Sequence, residues 1–346
     1  MSGDGARPAR RPGRATIATI AREAGVSVPT VSRVLNGRAD VSAATRMRVE
    51  ALISEHGYRR RTASGVAPAP VIDVVFHELD DAWAVEVMKG VTRVAREAGL
   101  MVNLSESAPR TTPAQGWVDA VLARRPAGII LVVFDLTPHQ HAQLTARGIP
   151  FVVLDPAGEP GDGVPAVGSA NWNGGMAAAR HLLELGHRRI GVIGGPHALL
   201  CSRARLDGYR AAMDLAGIAV DPALLHSGDF HVEGGYRAGL SLLRLPEPPT
   251  AVFAGSDLQA LGLYEAAREL GVRIPEQLSV VGYDDLPVAR WVGPPLTTVR
   301  QPLAEMAAMA ARMVIALGTG PDPVTRRVDL ATSLVVRQST APPRSR

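Results

Sequence analysis

The sequence predicts an α/β protein in three parts: a small helical head, a short linker, and a long region of two lobes, each a parallel sheet covered by helices. Three observations predict it. Apolar residues recur at helical spacing over residues 16–58, interrupted by two tight turns. From residue 71 short β-branched runs alternate with helical stretches, the pattern of parallel sheets with helices on both faces. That alternation continues for roughly 200 residues, more than one sheet accommodates comfortably, and a cluster of Pro and Gly breaks it at 155–170.

Composition narrows the function classes. With 346 residues, 46% of them hydrophobic, the chain can bury more than one core. The formal charge of +4 is unevenly placed: residues 1–66 hold twelve arginines, no lysine and five carboxylates, a net of +7, which leaves −3 for the remainder. Basic charge therefore sits where a nucleic acid would be touched. Cys201 is the only cysteine, which excludes an internal disulfide and fits a reducing, cytoplasmic compartment. No run approaches the ~18 apolar residues of a membrane span, so no membrane partner is expected. Residues 1–14, rich in Arg, Pro and Gly, read as a disordered basic arm and not as a signal peptide.

The head, residues 15–60, is expected to be a helix-turn-helix domain. Thr16 is placed to cap a first helix that ends at Gly25, whose freedom at positive φ lets the chain turn sharply. Ser27 caps a second helix, with Val28 and Pro29 in its first turn, and Ser42 caps a third. Ile20, Ala21, Ala24, Val26, Val31, Val34, Leu35, Val49, Leu52 and Ile53 supply a miniature core. The second helix leaves Val28, Pro29, Thr30, Ser32 and Arg33 on its outer face, as a helix entering the major groove requires. Small side chains there accept close approach to bases, and Arg33 can pair with guanine through two hydrogen bonds. Ser27, Thr30, Ser32 and Asn36 suit phosphates. A bare protein-interaction module would explain the caps but not this spacing.

The run Ile20-Ala21-Arg22-Glu23-Ala24-Gly25-Val26-Ser27, followed by Thr30-Val31-Ser32-Arg33-Val34-Leu35-Asn36, Val41-Ser42, Thr45-Arg46 and Gly57-Tyr58, closely resembles the headpiece of the lactose-repressor (LacI) family of transcriptional regulators. The resemblance implies that Thr16, Tyr58 and the outer face of the second helix touch operator DNA. In that family the linker, residues 61–70 here, forms a hinge helix on DNA, and a leucine at its end wedges open the minor groove. This chain departs from the pattern: arginines replace the usual proline and asparagine after the tyrosine, and no leucine is present. Arg59, Arg60 and Arg61 remain suited to a narrow minor groove by charge. Val66 is the only apolar candidate for a wedge.

In the lobes, residues 71–76, 101–104, 128–134, 151–154, 189–193, 251–254 and 278–282 read as buried strands. Residues 83–98, 113–124, 138–146, 173–185, 202–216, 233–243 and 256–270 read as the helices between them. Residues 294–301 suggest a second crossing between lobes, after which helix 302–317 and strand 334–336 return to them. Lobe one is expected at about 71–168 plus 301–328, and lobe two at about 169–300 plus 329–343. In open α/β sheets the ligand binds outside the carboxyl ends of the strands, so residues just after strands are the candidates. They are Asp81 and Trp83, Asp155, Ser256 and Asp257, and Asp284, with Arg205 and Phe230 near the starts of two helices. Carboxylates and one arginine can share the hydroxyls of a neutral polyol, and rings can cover its apolar face. Each Asp taken singly could be a helix N-cap.

The motifs Leu182-Leu183-Glu184-Leu185-Gly186-His187-Arg188-Arg189-Ile190, Ser202-Arg203-Ala204-Arg205-Leu206-Asp207-Gly208-Tyr209, Val280-Val281-Gly282-Tyr283-Asp284-Asp285 and Pro295-Leu296-Thr297-Thr298-Val299-Arg300-Gln301 extend the resemblance to the LacI family across this region. It implies a periplasmic-binding-protein-like fold and effector contacts at Asp155, Arg205, Phe230, Asp257, Asp284 and Gln301. Ser256 departs from the asparagine that the family often has. No leucine-heptad tail follows Thr340, so a homodimer on a palindromic operator is expected. The implied function is a repressor of carbohydrate uptake or catabolism genes governed by a mono- or oligosaccharide. A purine or nucleoside effector is the alternative, since Trp83 and Phe230 could stack a base.

Neither catalysis, a cofactor nor a metal is expected. The glycines of residues 191–195 lack the spacing of a dinucleotide fingerprint and the lysine of a phosphate loop. The histidines lack metal-ligand spacing. A periplasmic sugar-binding protein would share the lobes but would not carry the arginine-rich head.

Overall fold

The computed structural model describes residues 16–35, 41–56, 69–79, 82–108, 111–161, 163–319 and 326–344. The N-terminal arm, Asn36, Tyr58, Arg59, Arg60, Arg61, Val66 and Asp81 lie outside the described residues.

Local chemistry sets the head. In α1 (Ile17–Glu23) the Thr16 hydroxyl accepts the Thr19 N–H at 3.2 Å while Thr19 caps back, closing a capping box. Gly25 follows at φ +65°, which favours glycine. Ser27 accepts the Thr30 N–H at the start of α2 (Val28–Leu35), and Ser42 accepts that of Thr45 ahead of α3 (Ala43–Glu55). Ile20, Ala21, Ala24, Val31, Val34, Leu35, Val49 and Ile53 form one buried cluster.

Lobe one is built from β1 (Ala69–Phe76), α4 (Ala82–Glu97), β2 (Met101–Glu106), α5 (Gln115–Arg124), β3 (Pro126–Val132), α6 (Pro138–Ala146), β4 (Phe151–Leu154) and β5 (Ala166–Ser169), joined late in the chain by α11 (Leu303–Thr319) and β11 (Arg327–Leu330). Its sheet runs β11-β5-β4-β3-β1-β2, every pair parallel. Lobe two holds α7 (Asn171–Glu184), β6 (Ile190–Gly194), α8 (Leu200–Leu215), β7 (Leu225–Ser227), α9 (Val232–Leu243), β8 (Ala251–Ala254), α10 (Asp257–Glu269), β9 (Ser279–Asp284), β10 (Thr297–Arg300) and β12 (Ser333–Val335). Its sheet runs β12-β10-β9-β8-β6-β7, with only β12 antiparallel to its neighbour.

The central strands are buried on both faces, as a sheet under two helical layers demands. β2 differs from the expectation of a buried strand. It is an edge strand, with Met101 and Leu104 exposed. The chain crosses between lobes after β5, after β10 and between β11 and β12, which places the carboxyl ends of both sheets on one cleft.

Helices α7 and α8 approach unusually closely. A Cβ at Gly175 would stand 2.0 Å from the carbonyl oxygen of Arg205, and one at Gly208 would stand 2.1 Å from that of Trp172. Both obstacles are backbone, so neither can swing away. Gly175→Ala is therefore expected to lower stability by about 1–3 kcal/mol. Thermal unfolding should show a fall of a few degrees in Tm, and an unchanged melt would mean that the helices separate freely.

Candidate functional site

The cleft is a cavity of about 110 Å³ between the lobes. Lobe one contributes Phe76 at the end of β1, His77 and Glu78 just after it, Trp83 from the first turn of α4, Val132 and Val133 at the end of β3, and Asp155 after β4. Lobe two contributes Leu199, Cys201 and Arg205 along α8, the segment Asp229-Phe230-His231, Ser256 and Leu258 at α10, and Asp284 at the end of β9. Of the six non-glycine residues with positive φ among the described residues, four line this cavity: Val133, Asp155, Phe230 and Asp284. Backbone strain concentrated at one place is the mark of a site whose geometry matters more than its local stability.

Arg205 is the organising charge, 5% exposed. Its Nε donates to Asn171 Oδ1 at 2.8 Å, Nη1 donates to the Gly255 carbonyl at 2.6 Å, and Nη2 lies 4.0 Å from Asp284 Oδ1. The guanidinium carbon stands 3.7 Å from the centre of the Tyr283 ring and 5.4 Å from that of Phe230. Desolvation works against the cation, but Tyr283, Cys201, Asp284 and Asp155 together raise its pKa, so the charge is retained. Burial raises the pKa of Asp155, opposed by Arg205 and by a hydrogen bond from Asn171. Burial pushes the Cys201 thiol up to about 12, which leaves it protonated and unreactive.

The structure brings Trp83, Asp155, Arg205, Phe230, Ser256 and Asp284 together in the lining. Ser256 also has a structural role: its hydroxyl accepts the Gln259 N–H at the start of α10 and donates to the Phe230 carbonyl at 2.9 Å, fixing the ring's backbone. Gln301 stands behind the wall, where its Nε2 donates to Asp284 Oδ1 at 3.0 Å and its Oε1 accepts from Ser169. Asp257 is absent from the lining. It is fully buried, accepting the Leu286 N–H at 2.7 Å and the Thr298 hydroxyl at 2.5 Å, and it ties α10 to β9 and β10.

Sequence reasoning missed His77, Glu78, Asp229 and His231. His77 and Glu78 directly follow β1, ahead of Asp81 and Trp83 in the same segment. Glu78 lies 3.1 Å from His77 Nε2 and 3.3 Å from His231 Nε2, so it bridges the lobes at the mouth of the cleft. A second bridge is the Leu200 N–H donating to the Ala157 carbonyl at 2.7 Å, beside an apolar contact of Ala157 with Leu199 and Cys201. No group of side chains suited to a metal ion occurs among the described residues. Hydrogen-bonding groups of both signs under aromatic cover suit reversible binding of a neutral, hydroxyl-bearing molecule.

On the head, α2 turns Val28, Pro29 and Arg33 outward, with Thr30 and Ser32 half-buried between them. Ser27 and Thr30 hydroxyls are bonded to each other at 2.8 Å, so Ser27 serves first as a cap. Thr16 is exposed at the N-terminus of α1, where a phosphate would meet helix N–H groups. No helix among the described residues is long and apolar enough to cross a membrane.

Comparison with known proteins matches both the head and the lobed region. Residues 16–61 match the profile of bacterial regulatory proteins of the lacI family, and residues 179–340 match a periplasmic binding protein-like domain. The transcriptional repressor CytR of Escherichia coli K12 is 32% identical over 329 residues, covering 94% of this chain and 96% of CytR. The solved complex of the transcriptional regulator CelR with cellobiose is 34% identical, with a TM-score of 0.70, covering 94% of this chain and all of CelR. The lac repressor dimer bound to operator and an anti-inducer is 28% identical, with a TM-score of 0.69, covering 95% of this chain and all of that one. These relatives are transcriptional regulators, and with them this chain belongs to the LacI family of bacterial regulatory proteins.

Proposed function

We propose that this protein is a cytoplasmic, homodimeric repressor of carbohydrate uptake or catabolism genes, and that its effector is a mono- or oligosaccharide held between the lobes. The observation that carries this reading is the buried Arg205 set between Asp155 and Asp284 beside the Phe230 ring, with Trp83 on the facing lobe. Such a set offers donors and acceptors to sugar hydroxyls and an apolar cover to the sugar face. The bound cellobiose of the CelR structure supports a carbohydrate. Exposed apolar side chains on both lobes, Val85, Met101 and Leu104 on lobe one and Trp291, 85% exposed, on lobe two, are available to a dimer interface.

A ligand shifts the balance of lobe arrangements only by preferring one of them. The Glu78–His231 and Leu200–Ala157 bridges exist only when the lobes are together, so a ligand filling the cleft would favour that arrangement. Lobe one reaches the head directly. Arg147 Nε donates to the Leu35 carbonyl at 3.0 Å, His139 lies 3.3 Å from Glu50, and Ala146 is buried in the head's apolar cluster. Movement of lobe one would thus change the spacing of paired heads, and half-site spacing is a geometric requirement of operator binding. Thermal-shift screening of mono- and oligosaccharides and nucleosides, followed by operator selection with and without the hit, tests the reading. A nucleoside hit with no sugar response would overturn the carbohydrate assignment.

Arg33→Ala is expected to flatten discrimination at one operator position in each half-site, a loss of about 1–3 kcal/mol there. Binding to every single-base operator variant measures it. A uniform loss with unchanged preference would make Arg33 a phosphate contact instead.

A further inference from the structure

A second cavity, of about 70 Å³, lies in lobe two behind the effector cleft. Its walls are a stripe along α8, Ser202, Leu206 and Arg210, one residue per turn, facing the segment after β6 (Gly194, Gly195, His197) and strand β7 (Leu225, His226, Ser227), with Val192 as the floor. Ser202 is 6% exposed, and its hydroxyl oxygen is buried with no hydrogen-bond partner. Buried hydroxyls are normally satisfied, so this one points to a ligand atom or an ordered water in the cavity. The volume holds more than a single water.

The charge of the lining selects between ligands. Arg210, His197 and His226 bring nitrogen donors, Ser202 brings an unpartnered hydroxyl, the Ser227 hydroxyl donates to the Gly195 carbonyl at 3.2 Å, and no carboxylate lines the cavity. Asp207, exposed, stands 3.4 Å from Arg210 Nη1. Ser202 sits in the first turn of the 16-residue α8, whose N-terminus has no side-chain cap and carries the positive end of the helix dipole. We propose that this cavity is a binding site for a compact oxyanion, either inorganic phosphate or the phosphoryl group of a small metabolite. Ser202 donates its hydroxyl to it from the buried end, and Arg210 with the two histidines closes over it from the rim.

The site is distinct from the effector cleft but shares its framework. Cys201 and Arg205 face the cleft from the same two turns of α8 that present Ser202 and Leu206 to the second cavity. Between the cavities stands Gly195, where a Cβ would come within 2.1 Å of the Phe230 ring. An oxyanion that orders this turn changes effector affinity, and the effector changes oxyanion affinity by the same factor.

Calorimetric titration of the intact protein with inorganic phosphate, at ionic strength matched with chloride, tests the site. Titration with a hexose monophosphate and with the free hexose runs beside it. Phosphate is expected to bind where chloride does not, and Ser202→Ala and Arg210→Ala are each expected to weaken it about tenfold. Trp83→Ala, in the cleft, is expected to leave it unchanged. Tighter binding of the hexose monophosphate than of phosphate, still dependent on Ser202, identifies a phosphorylated metabolite held against Val192, Leu206 and Leu225. Equal binding identifies the free ion. Three results would overturn the proposal: no binding beyond chloride, indifference to both Ser202→Ala and Arg210→Ala, or loss of phosphate binding in Trp83→Ala, which would place the ion in the cleft.

Discussion

Arg205→Ala is expected to abolish the response to effector while leaving the operator affinity of the ligand-free protein nearly intact. The guanidinium is 5% exposed and serves three partners at once: Asn171, the Gly255 carbonyl and the carboxylate of Asp284. Its removal leaves buried acceptors without donors and takes away the cation that opposes protonation of Asp155. Each hydroxyl-binding partner lost from a buried site weakens binding by about 1–3 kcal/mol, so effector affinity should fall at least tenfold. Stability should fall as well, because truncating one member of a buried charged set leaves the others uncompensated. The head has its own core around Ile20, Val31, Val34, Val49 and Ile53 and keeps its fold. Calorimetric titration with the screened sugar and an operator-binding assay, run on the same preparations, separate these effects. Asp284→Ala and Trp83→Ala serve as second variants. Normal sugar affinity in Arg205→Ala and Asp284→Ala would remove both residues from the site.

Much of this architecture was legible in the sequence because local and global signals agree. The head's three caps and eight buried apolar positions follow from helical spacing alone, and α6 begins and ends where Pro138 and Ala146 predict. Strands β5, β7, β10 and β11 were not legible. All are three or four residues long; β5, β7 and β11 carry at most one β-branched residue each, as with Gly168 in β5 and the half-exposed Arg327–Leu330 in β11, whereas β10, Thr297-Thr298-Val299-Arg300, has β-branched residues but is too short to stand out from a crossing segment. Their pairing comes from neighbours far away in sequence, β5 with β11 above all. Within the cleft, position after a strand was a sound guide for Asp155 and Asp284, but it could not separate a lining carboxylate from a buried brace. That distinction depends on where the side chain's hydrogen bonds go. Asp284 meets Gln301 and Arg205 at the cavity wall, whereas Asp257 turns inward to Leu286 and Thr298.

Asp257→Ala is therefore expected to be a stability variant and not a ligand-binding one. It would leave the Leu286 N–H and the Thr298 hydroxyl buried without an acceptor, a loss of about 2–4 kcal/mol. Effector affinity in the folded fraction should be unchanged. The carboxyl also makes a prediction about pH. Burial pushes its pKa up to about 7, against the lowering effects of the Thr298 and Leu286 hydrogen bonds, while an unfolded aspartate titrates near about 3.9. The folded state therefore holds a proton that the unfolded state releases. The corresponding stability is fully present below about pH 4 and is lost as pH rises through about 7. Asp257→Asn cannot titrate, so over that window the unfolding free energy of the wild type should fall relative to this variant, by at most roughly 1.4 kcal/mol per pH unit. Denaturant unfolding of both proteins at about pH 5 and about pH 8 measures the difference. Parallel pH dependence would show that Asp257 is ionised in the fold throughout, and a loss of sugar affinity with unchanged stability would return it to the effector site.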